Sequence, residues 1–123
     1  MKNKVLHILL AEDNPISSKL AQINIAKLGH SLDIAQNGKE AVELYRKKKY
    51  DVILMDIEMP EMGGVDATKI IRNIEKEENI QRPVKIVAMT AHDNDQKRIF
   101  IESGMDAYCN KPYRRQELDN LLK

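Results

Sequence analysis

Apolar runs alternate with amphipathic segments along the whole chain, and this alternation predicts the fold. Short, nearly continuous apolar runs are typical of strands that are covered on both faces in a parallel sheet. The candidate strands are residues 5–11, 32–35, 52–55, 84–89 and 107–110.

The segment after the first strand carries clear helix signals. Asn14 followed by Pro15 is typical of an N-cap with proline in the first helical turn, and Gly29 is placed to end the helix. Its apolar residues form one stripe with a second stripe beside it, namely Ile16, Leu20 and Ile23, then Ala21, Ile25 and Leu28. The stripe leaves open whether Ile16 is a core residue or part of a partner surface.

Further helical patterns follow each of the other strands, at residues 38–48, 64–77, 95–103 and 114–123. Strict alternation of strand and helix predicts an α/β domain with a parallel sheet and helices on both faces. At this length we expect one domain over residues 1–123, with a flavodoxin-like doubly wound sheet of five strands in the order 2-1-3-4-5 and five helices.

Composition narrows the function classes. The net charge of +1 gives no reason to expect binding to nucleic acid or to a membrane surface, and the basic run at 46–49 falls where a helix should end. A lone cysteine, Cys109, excludes an intramolecular disulfide, fits a reducing cytoplasm and lies in an apolar stretch typical of a core. No apolar run approaches the ~20 residues that a membrane-spanning helix needs.

Chemistry concentrates at the predicted strand ends, which meet at one edge of such a sheet. Polar ends are ordinary for any single strand, but clustered carboxylates repel each other unless a cation lies among them. The residues that the topology brings together are Glu12, Asp13, Asp56, Glu58, Thr90, Asn110 and Lys111. Lys111 supplies one positive charge, and the hard oxygen donors favour Mg²⁺ over Zn²⁺ for the rest.

This donor set indicates phosphoryl chemistry at Asp56. A carboxylate can attack phosphorus to form an aspartyl phosphate, with Thr90 and Lys111 holding the phosphoryl oxygens. The sequence contains no glycine-rich nucleotide loop. An aspartyl phosphatase remains the enzyme alternative, since Glu58 has the spacing of its general acid, but Asp56 lies on the third strand and such a nucleophile is expected on the first.

Five motifs together resemble the response-regulator receiver domains of two-component signalling over essentially the whole chain. They are LLAEDN at 9–14, LMDIEMPEMGG at 54–64, VAMTA at 87–91, GMDAY at 104–108 and NKP at 110–112. The resemblance implies that Asp56 is the phosphoacceptor, that Asp13 binds the metal directly and that Glu12 does so through water. The backbone carbonyl of Glu58 would be a further ligand, with Mn²⁺ as a substitute ion.

The same resemblance assigns a switch. Thr90 and Lys111 would contact the phosphoryl group, and the ring of Tyr108 would turn inward when Thr90 moves; Tyr108 is equally readable as a half-buried strand aromatic. The fourth helix, fifth strand and fifth helix would change packing, and the Lys111–Pro112 bond would be cis. Self-hydrolysis would be slow, so we expect no enzyme in the ordinary sense.

Partners follow from the resemblance. The donor would be a phosphohistidine on a sensor histidine kinase or a histidine phosphotransfer protein, docking near Ile16 and the Pro112–Tyr113 loop. The motifs resemble those of receivers attached to hybrid sensor kinases more than those of free-standing receivers, which favours a receiver segment of a hybrid sensor kinase. A free-standing regulator, an interaction module that is never phosphorylated, and a phosphorylation-dependent dimer stay open.

The sequence also departs from the usual pattern of the family. Glu12 stands where aspartate is frequent, and its longer side chain favours the water-mediated role. Glu58 adds negative charge beside the acceptor, so we expect it to slow phosphorylation by small anionic donors. His92 could shape the approach of the hydrolytic water.

Overall fold

The computed structural model describes residues 4–91 and 97–123 as a parallel sheet flanked by helices. The strand order is β2-β1-β3-β4-β5, and every neighbouring pair is parallel, which confirms the predicted doubly wound topology. The elements are β1 (His7–Ala11), α1 (Pro15–Lys27), β2 (Ser31–Ala35), α2 (Gly38–Lys47), β3 (Val52–Asp56), α3 (Gly64–Glu77), β4 (Lys85–Thr90), α4 (Lys97–Ser103), β5 (Ala107–Asn110) and α5 (Arg115–Leu122).

The predicted bounds of α3 and β5 agree with the structure, and several other bounds differ by one or two residues. For the strands, the reason is that pairing, rather than hydrophobicity, sets where they begin and end. β1 begins at His7, which pairs with the first residue of β2, and Val5 before it is exposed. At the other edge, Asp56 and Thr90 belong to their strands because each lies opposite a residue of the neighbouring strand. The predicted start of the fourth helix, residues 95–96, lies outside the described residues.

The sheet has a core on each face. β3 is buried at every position, as expected for a central parallel strand, and its side chains alternate between the two cores. One core contains residues of α2, α3 and α4, and the other contains residues of α1 and α5. Cys109 lies in the second core, in agreement with its predicted place.

Helix α1 buries only one of its two apolar stripes. Asn14 caps it, since its side-chain oxygen accepts hydrogen bonds from the backbone N–H groups of Ile16 and Ser17 at 2.9 and 3.1 Å. Ala21 and Ile25 are buried, whereas the other stripe faces solvent, with exposed fractions of 74% for Ile16, 57% for Leu20 and 43% for Ile23. The structure therefore decides the open question on Ile16 in favour of the surface.

The described helices contain no segment long and apolar enough to cross a bilayer.

Candidate functional site

The polar strand ends meet in one cavity of about 280 Å³ at the carboxyl edge of the sheet. This edge lies at the switch point, where the strand order reverses between β1 and β3, as expected for ligand sites in such sheets. The lining residues are Glu12, Asp13, Asn14, Ser17, Asp56, Ile57, Glu58, Thr90, Ala91 and Lys111. The cavity thus contains all but one of the strand-end residues singled out in the sequence; Asn110 is exposed at the end of β5.

Negative charge exceeds positive charge in this cavity. One carboxylate oxygen from each of Glu12, Asp13 and Asp56 lies within 4.8 Å of the other two. Glu12 and Asp56 are buried, with exposed fractions of 5% and 8%. The Lys111 ammonium lies 2.5 Å from Glu12 Oε1 and 3.4 Å from Asp56 Oδ1, so a single cation serves two buried acids.

Burial and the excess of acids affect the pKa of Asp56. Burial is the main cause that raises the pKa of Asp56 to about 6; the Lys111 ammonium opposes this shift, and the neighbouring Glu12 contributes to it. Burial alone would lower the pKa of Lys111, but its contacts with Glu12 and Asp56 outweigh burial and leave it raised. Lys111 therefore stays charged, and the Asp56 carboxylate is held in a site that favours a further cation.

The donor chemistry of the site fits a hard divalent cation. Glu12, Asp13 and Asp56 offer carboxylate oxygens, and no cysteine or histidine accompanies them in this group. Mg²⁺ prefers such oxygen ligands and keeps waters of its own. Among residues 4–91 and 97–123, no other group of three acids, histidines or cysteines is as closely spaced.

Backbone contacts hold the site in place. The Ile57 N–H donates to Met89 O at 3.1 Å, and Gly64 N–H donates to Ile57 O at 3.1 Å, so α3 starts directly against the end of β3. A side chain at Gly64 would collide with the Asp56 carbonyl oxygen, which is why this turn requires glycine. Lys111 is fixed by its N–H bond to Thr90 O at 2.7 Å, and its peptide bond to Pro112 is cis, as expected.

Some predicted residues lie elsewhere. Tyr108 lies on β5, half buried against the α2–α3–α4 core, and the Lys97 ammonium lies 4.6 Å from its ring centre. Its role as a switch stays a prediction. His92 lies outside the described residues, so the prediction for it is likewise untested. Glu58 lines the cavity and is exposed, in keeping with an influence on incoming anions.

Sequence reasoning missed two features of the cavity. Ser17 lines it, because the Asn14 cap starts α1 with its first turn facing the acids. Its signal was available in the spacing from Asn14, one helical turn away. The sequence placed Lys111 among the acids but did not predict that its ammonium lies closer to Glu12 than to Asp56, because topology does not specify side-chain geometry.

A larger cavity of about 710 Å³ lies at the opposite edge of the sheet, beside the ends of α2 and α3. Its wall includes the basic run at 46–49, and the last turn of α2 contains Arg46 and Lys47. Lys48 pairs with Asp33 at 3.1 Å. These cations complement the negative end of a helix dipole, which agrees with the predicted helix end.

A family model and the sequences of similar proteins assign the chain to the same family. The chain matches the family model described as "Response regulator receiver domain" over residues 8–123. It is 43% identical over 111 residues to hybrid signal transduction histidine kinase I of Dictyostelium discoideum, covering 85% of this chain and 6% of that protein. It is 35% identical to the sensor protein GacS of Pseudomonas syringae pv. syringae, covering 99% of this chain and 14% of that protein. The chain thus spans only a small part of these relatives.

Two solved structures are similar in fold and sequence. The first is the receiver domain of the Saccharomyces cerevisiae response regulator Ssk1 in complex with the histidine phosphotransfer protein Ypd1, with a TM-score of 0.90, 31% identity and coverage of 96% and 86% of the two chains. The second is the receiver domain of the Pseudomonas aeruginosa sensor histidine kinase PA1611, with magnesium in its active-site cleft. Its TM-score is 0.85 with 32% identity, and the match covers 97% and 95% of the two chains.

Proposed function

Because this chain belongs to the response regulator receiver domain family, we propose that it accepts a phosphoryl group on Asp56 from a phosphohistidine of a partner protein. One observation carries the proposal above all. Asp56 ends a fully buried strand inside a cavity where three carboxylates lie close together and one ammonium contacts two of them, so the excess negative charge favours a bound cation, which together with Lys111 would offset the charge of a phosphoryl group.

The transfer requires one bond to form and one to break. An oxygen of the Asp56 carboxylate attacks phosphorus, the bond from phosphorus to the histidine nitrogen breaks, and its electron pair stays on that nitrogen, which takes up a proton. Lys111 and the Thr90 hydroxyl, both lining the cavity, bind the phosphoryl oxygens and offset their charge. The same residues hold the aspartyl phosphate while it hydrolyses slowly, so the domain acts as a switch rather than as an enzyme with turnover.

Glu12, Asp13 and Asp56 are the side chains that would hold Mg²⁺, with the Glu58 carbonyl as a further ligand. A bound Mg²⁺ supplies charge neutralisation for the acids and for the transferring group. The solved PA1611 receiver, which has magnesium in its cleft, supports this assignment by similarity. Mn²⁺, which prefers the same ligands, would substitute.

The partner surface that we propose comprises the exposed stripe of α1 (Ile16, Leu20 and Ile23) and the Pro112–Tyr113 loop. Exposed apolar side chains that lie beside polar groups are typical of protein interaction sites. α1 begins directly after the acids, so a partner bound to this stripe would lie beside Asp56. The complex of Ssk1 with the histidine phosphotransfer protein Ypd1 supports a partner that carries a phosphohistidine, that is, a phosphotransfer protein or a histidine kinase domain.

We further propose that the chain functions as the receiver segment of a hybrid sensor histidine kinase. The relatives that are 35–43% identical include hybrid histidine kinases, and this chain matches only a small part of each of them. A free-standing receiver is the alternative. The free thiol Cys109 supports a reducing compartment such as the cytoplasm.

The proposal is tested by intact mass after incubation with acetyl phosphate or phosphoramidate, with Mg²⁺ or with a chelator. We expect one added phosphoryl group that requires Mg²⁺ and is absent from Asp56→Asn. Asp66→Asn is the matched control, since Asp66 is an exposed carboxylate in the first turn of α3 and should label normally.

Labelling of Asp56→Asn would place the acceptor elsewhere and contradict the proposal. Labelling only by a phosphohistidine protein would support the proposal and indicate that Glu58 repels small donors. No labelling by either donor would favour an unphosphorylated interaction module. Continuous hydrolysis of a generic phosphomonoester would instead favour a phosphatase.

A further inference from the structure

The carboxyl end of α4 is attached to the rest of the fold by hydrogen bonds. At its carboxyl end, the N–H groups of Gly104, Met105 and Asp106 donate to Ile101 O, Phe100 O and Ile86 O at 2.8–3.1 Å. At its amino end, the Lys97 ammonium lies 4.6 Å from the centre of the Tyr108 ring, and Arg98 and Glu102, which form an ion pair, are 88% and 68% exposed. One end of the helix is therefore tied to the sheet.

Arg72 of α3 is the centre of that attachment. Its Nε donates to Gly104 O at 2.8 Å, and its Nη2 lies 2.8 Å from Asp106 Oδ2. Nη1 donates to Val84 O at 2.8 Å and to Glu75 Oε1 at 2.7 Å. One guanidinium thus joins α3, the start of β4 and the turn between α4 and β5.

The partners of Arg72 are themselves fixed. Glu75 is 5% exposed, and its second oxygen accepts from Val84 N–H at 2.7 Å and from the Tyr45 hydroxyl at 3.0 Å. Asp106 Oδ2 also accepts from Ile86 N–H at 2.9 Å. The network is buried at Glu75, 21% exposed at Arg72 and 48% exposed at Asp106, and each of these three residues is bonded to others, so a shift of Arg72 would leave the buried Glu75 without its cation.

Gly104 fits this arrangement in two ways. Its φ of +110° lies in the region that favours glycine. A Cβ at this position would lie 2.7 Å from Arg72 Cγ, so the absence of a side chain lets the arginine stem pass against the turn.

We propose that Arg72 is a positioning residue that anchors the carboxyl end of α4 at Gly104–Asp106, so that the response of α4 to phosphorylation is confined to its amino end. This rests on the proposed function at Asp56. α4 is the next helix after Thr90 in the chain, so the segment that follows Thr90 enters this helix at its amino end. With the far end tied, the helix pivots instead of shifting as a body.

The test is amide hydrogen exchange by mass spectrometry, in Mg²⁺ alone and in Mg²⁺ with beryllofluoride as the phosphoryl analogue. In the wild type we expect beryllofluoride to change exchange in residues 97–101 and to leave residues 104–106 unchanged. In Arg72→Ala the amides of residues 104–106 should exchange at least ten-fold faster without the analogue, and the response should spread to them. Arg72→Lys, which keeps the charge beside Glu75, gives a milder variant in case Arg72→Ala does not fold; we expect an intermediate result.

Arg98→Ala is the matched control, because it removes an exposed arginine of α4 and should behave like the wild type. A purely structural role for Arg72 would leave the analogue's effect on α4 distributed as in the wild type, and that outcome overturns the inference. So does a wild-type response that is equal at both ends of α4. If beryllofluoride changes nothing in residues 54–58, the phosphoacceptor proposal fails, and the positioning role fails with it; a change there with an unaltered α4 pattern in Arg72→Ala would contradict only the positioning role.

Discussion

The two edges of the sheet both bury carboxylates, but they balance the charge differently. At the carboxyl edge, Glu12 and Asp56 share the single ammonium of Lys111, and Asp13 adds a third acid. At the amino edge, Glu75 is buried, lies 2.7 Å from the guanidinium of Arg72 and accepts two further hydrogen bonds, while Asp106, the second acid at this guanidinium, is 48% exposed to water. Burial of charge is common to both edges, so burial alone does not identify the site.

The difference shows at which edge a bound cation or proton would stabilise the fold. A matched and fully bonded pair stabilises one arrangement, and removing either member is costly. An unmatched cluster is destabilising by itself, and it gains stability when a cation or a proton arrives. The comparison therefore predicts effects of opposite sign for similar substitutions at the two edges.

The largest effect is expected at the matched edge. Glu75→Gln removes the charge that faces Arg72 within a buried network, so we expect a loss of about 3–5 kcal/mol in the free energy of unfolding, the usual range for breaking a buried pair. Urea denaturation measures it. Glu77→Gln, an exposed acid of the same helix, is the control and should change stability by less than about 0.5 kcal/mol. Equal stability of the two variants would remove the distinction between the edges.

At the unmatched edge, the substitution Asp56→Asn should raise the free energy of unfolding instead of lowering it. The pKa of Asp56 is about 6 in the folded protein and near its ordinary value of 3.8 when unfolded, so folding binds protons between these values. Above about pH 6 the ionised group costs about 2–3 kcal/mol, since one pKa unit corresponds to about 1.4 kcal/mol. We expect metal-free Asp56→Asn to be more stable than the wild type by that amount at pH 7.

This advantage should depend on pH. The wild type gains stability as pH falls from about 6 to about 4, because its folded state takes up the proton first, and the two proteins should converge there. Unfolding measured in a chelator across this range checks the sign. A gap that widens on acidification would be inconsistent with a raised pKa of Asp56.

A smaller effect is expected from Mg²⁺. An ion that binds only the folded state stabilises it by about 1.4 kcal/mol at ten times its dissociation constant. Thermal unfolding should show this for the wild type and for Glu75→Gln, and much less for Asp56→Asn, which lacks one of the acids. Equal stabilisation of all three would locate the ion away from the carboxyl edge.

The smallest effect is expected at Glu58. This exposed acid repels anions that approach Asp56, and exposed charges interact by less than about 1 kcal/mol, so Glu58→Gln should phosphorylate roughly two- to five-fold faster with acetyl phosphate. The gain should shrink at high salt. Identical rates for Glu58→Gln and the wild type would show that Glu58 does not tune the reaction.

The sequence predicted one edge and missed the other for a physical reason. The acids and Lys111 each follow an apolar run, so the parallel topology alone brings them together. Arg72 and Glu75 lie within a helix whose apolar stripe was predicted, and as charged residues they look like its solvent face. Their partners Gly104 and Asp106 are more than thirty residues away, and no periodic pattern indicates those contacts.

Helix α1 uses one side for packing against the sheet and leaves the other side exposed to solvent. Its inner stripe, Ala21 and Ile25, holds it to the sheet, while Ile16, Leu20 and Ile23 lie outside the packing. Because these side chains are exposed, we expect substitutions of them to leave both the fold and the acid cavity unchanged. If this stripe is the partner surface that we propose, duplicated copies of such a domain would change their partner by varying three side chains, while the acid cavity is inherited intact.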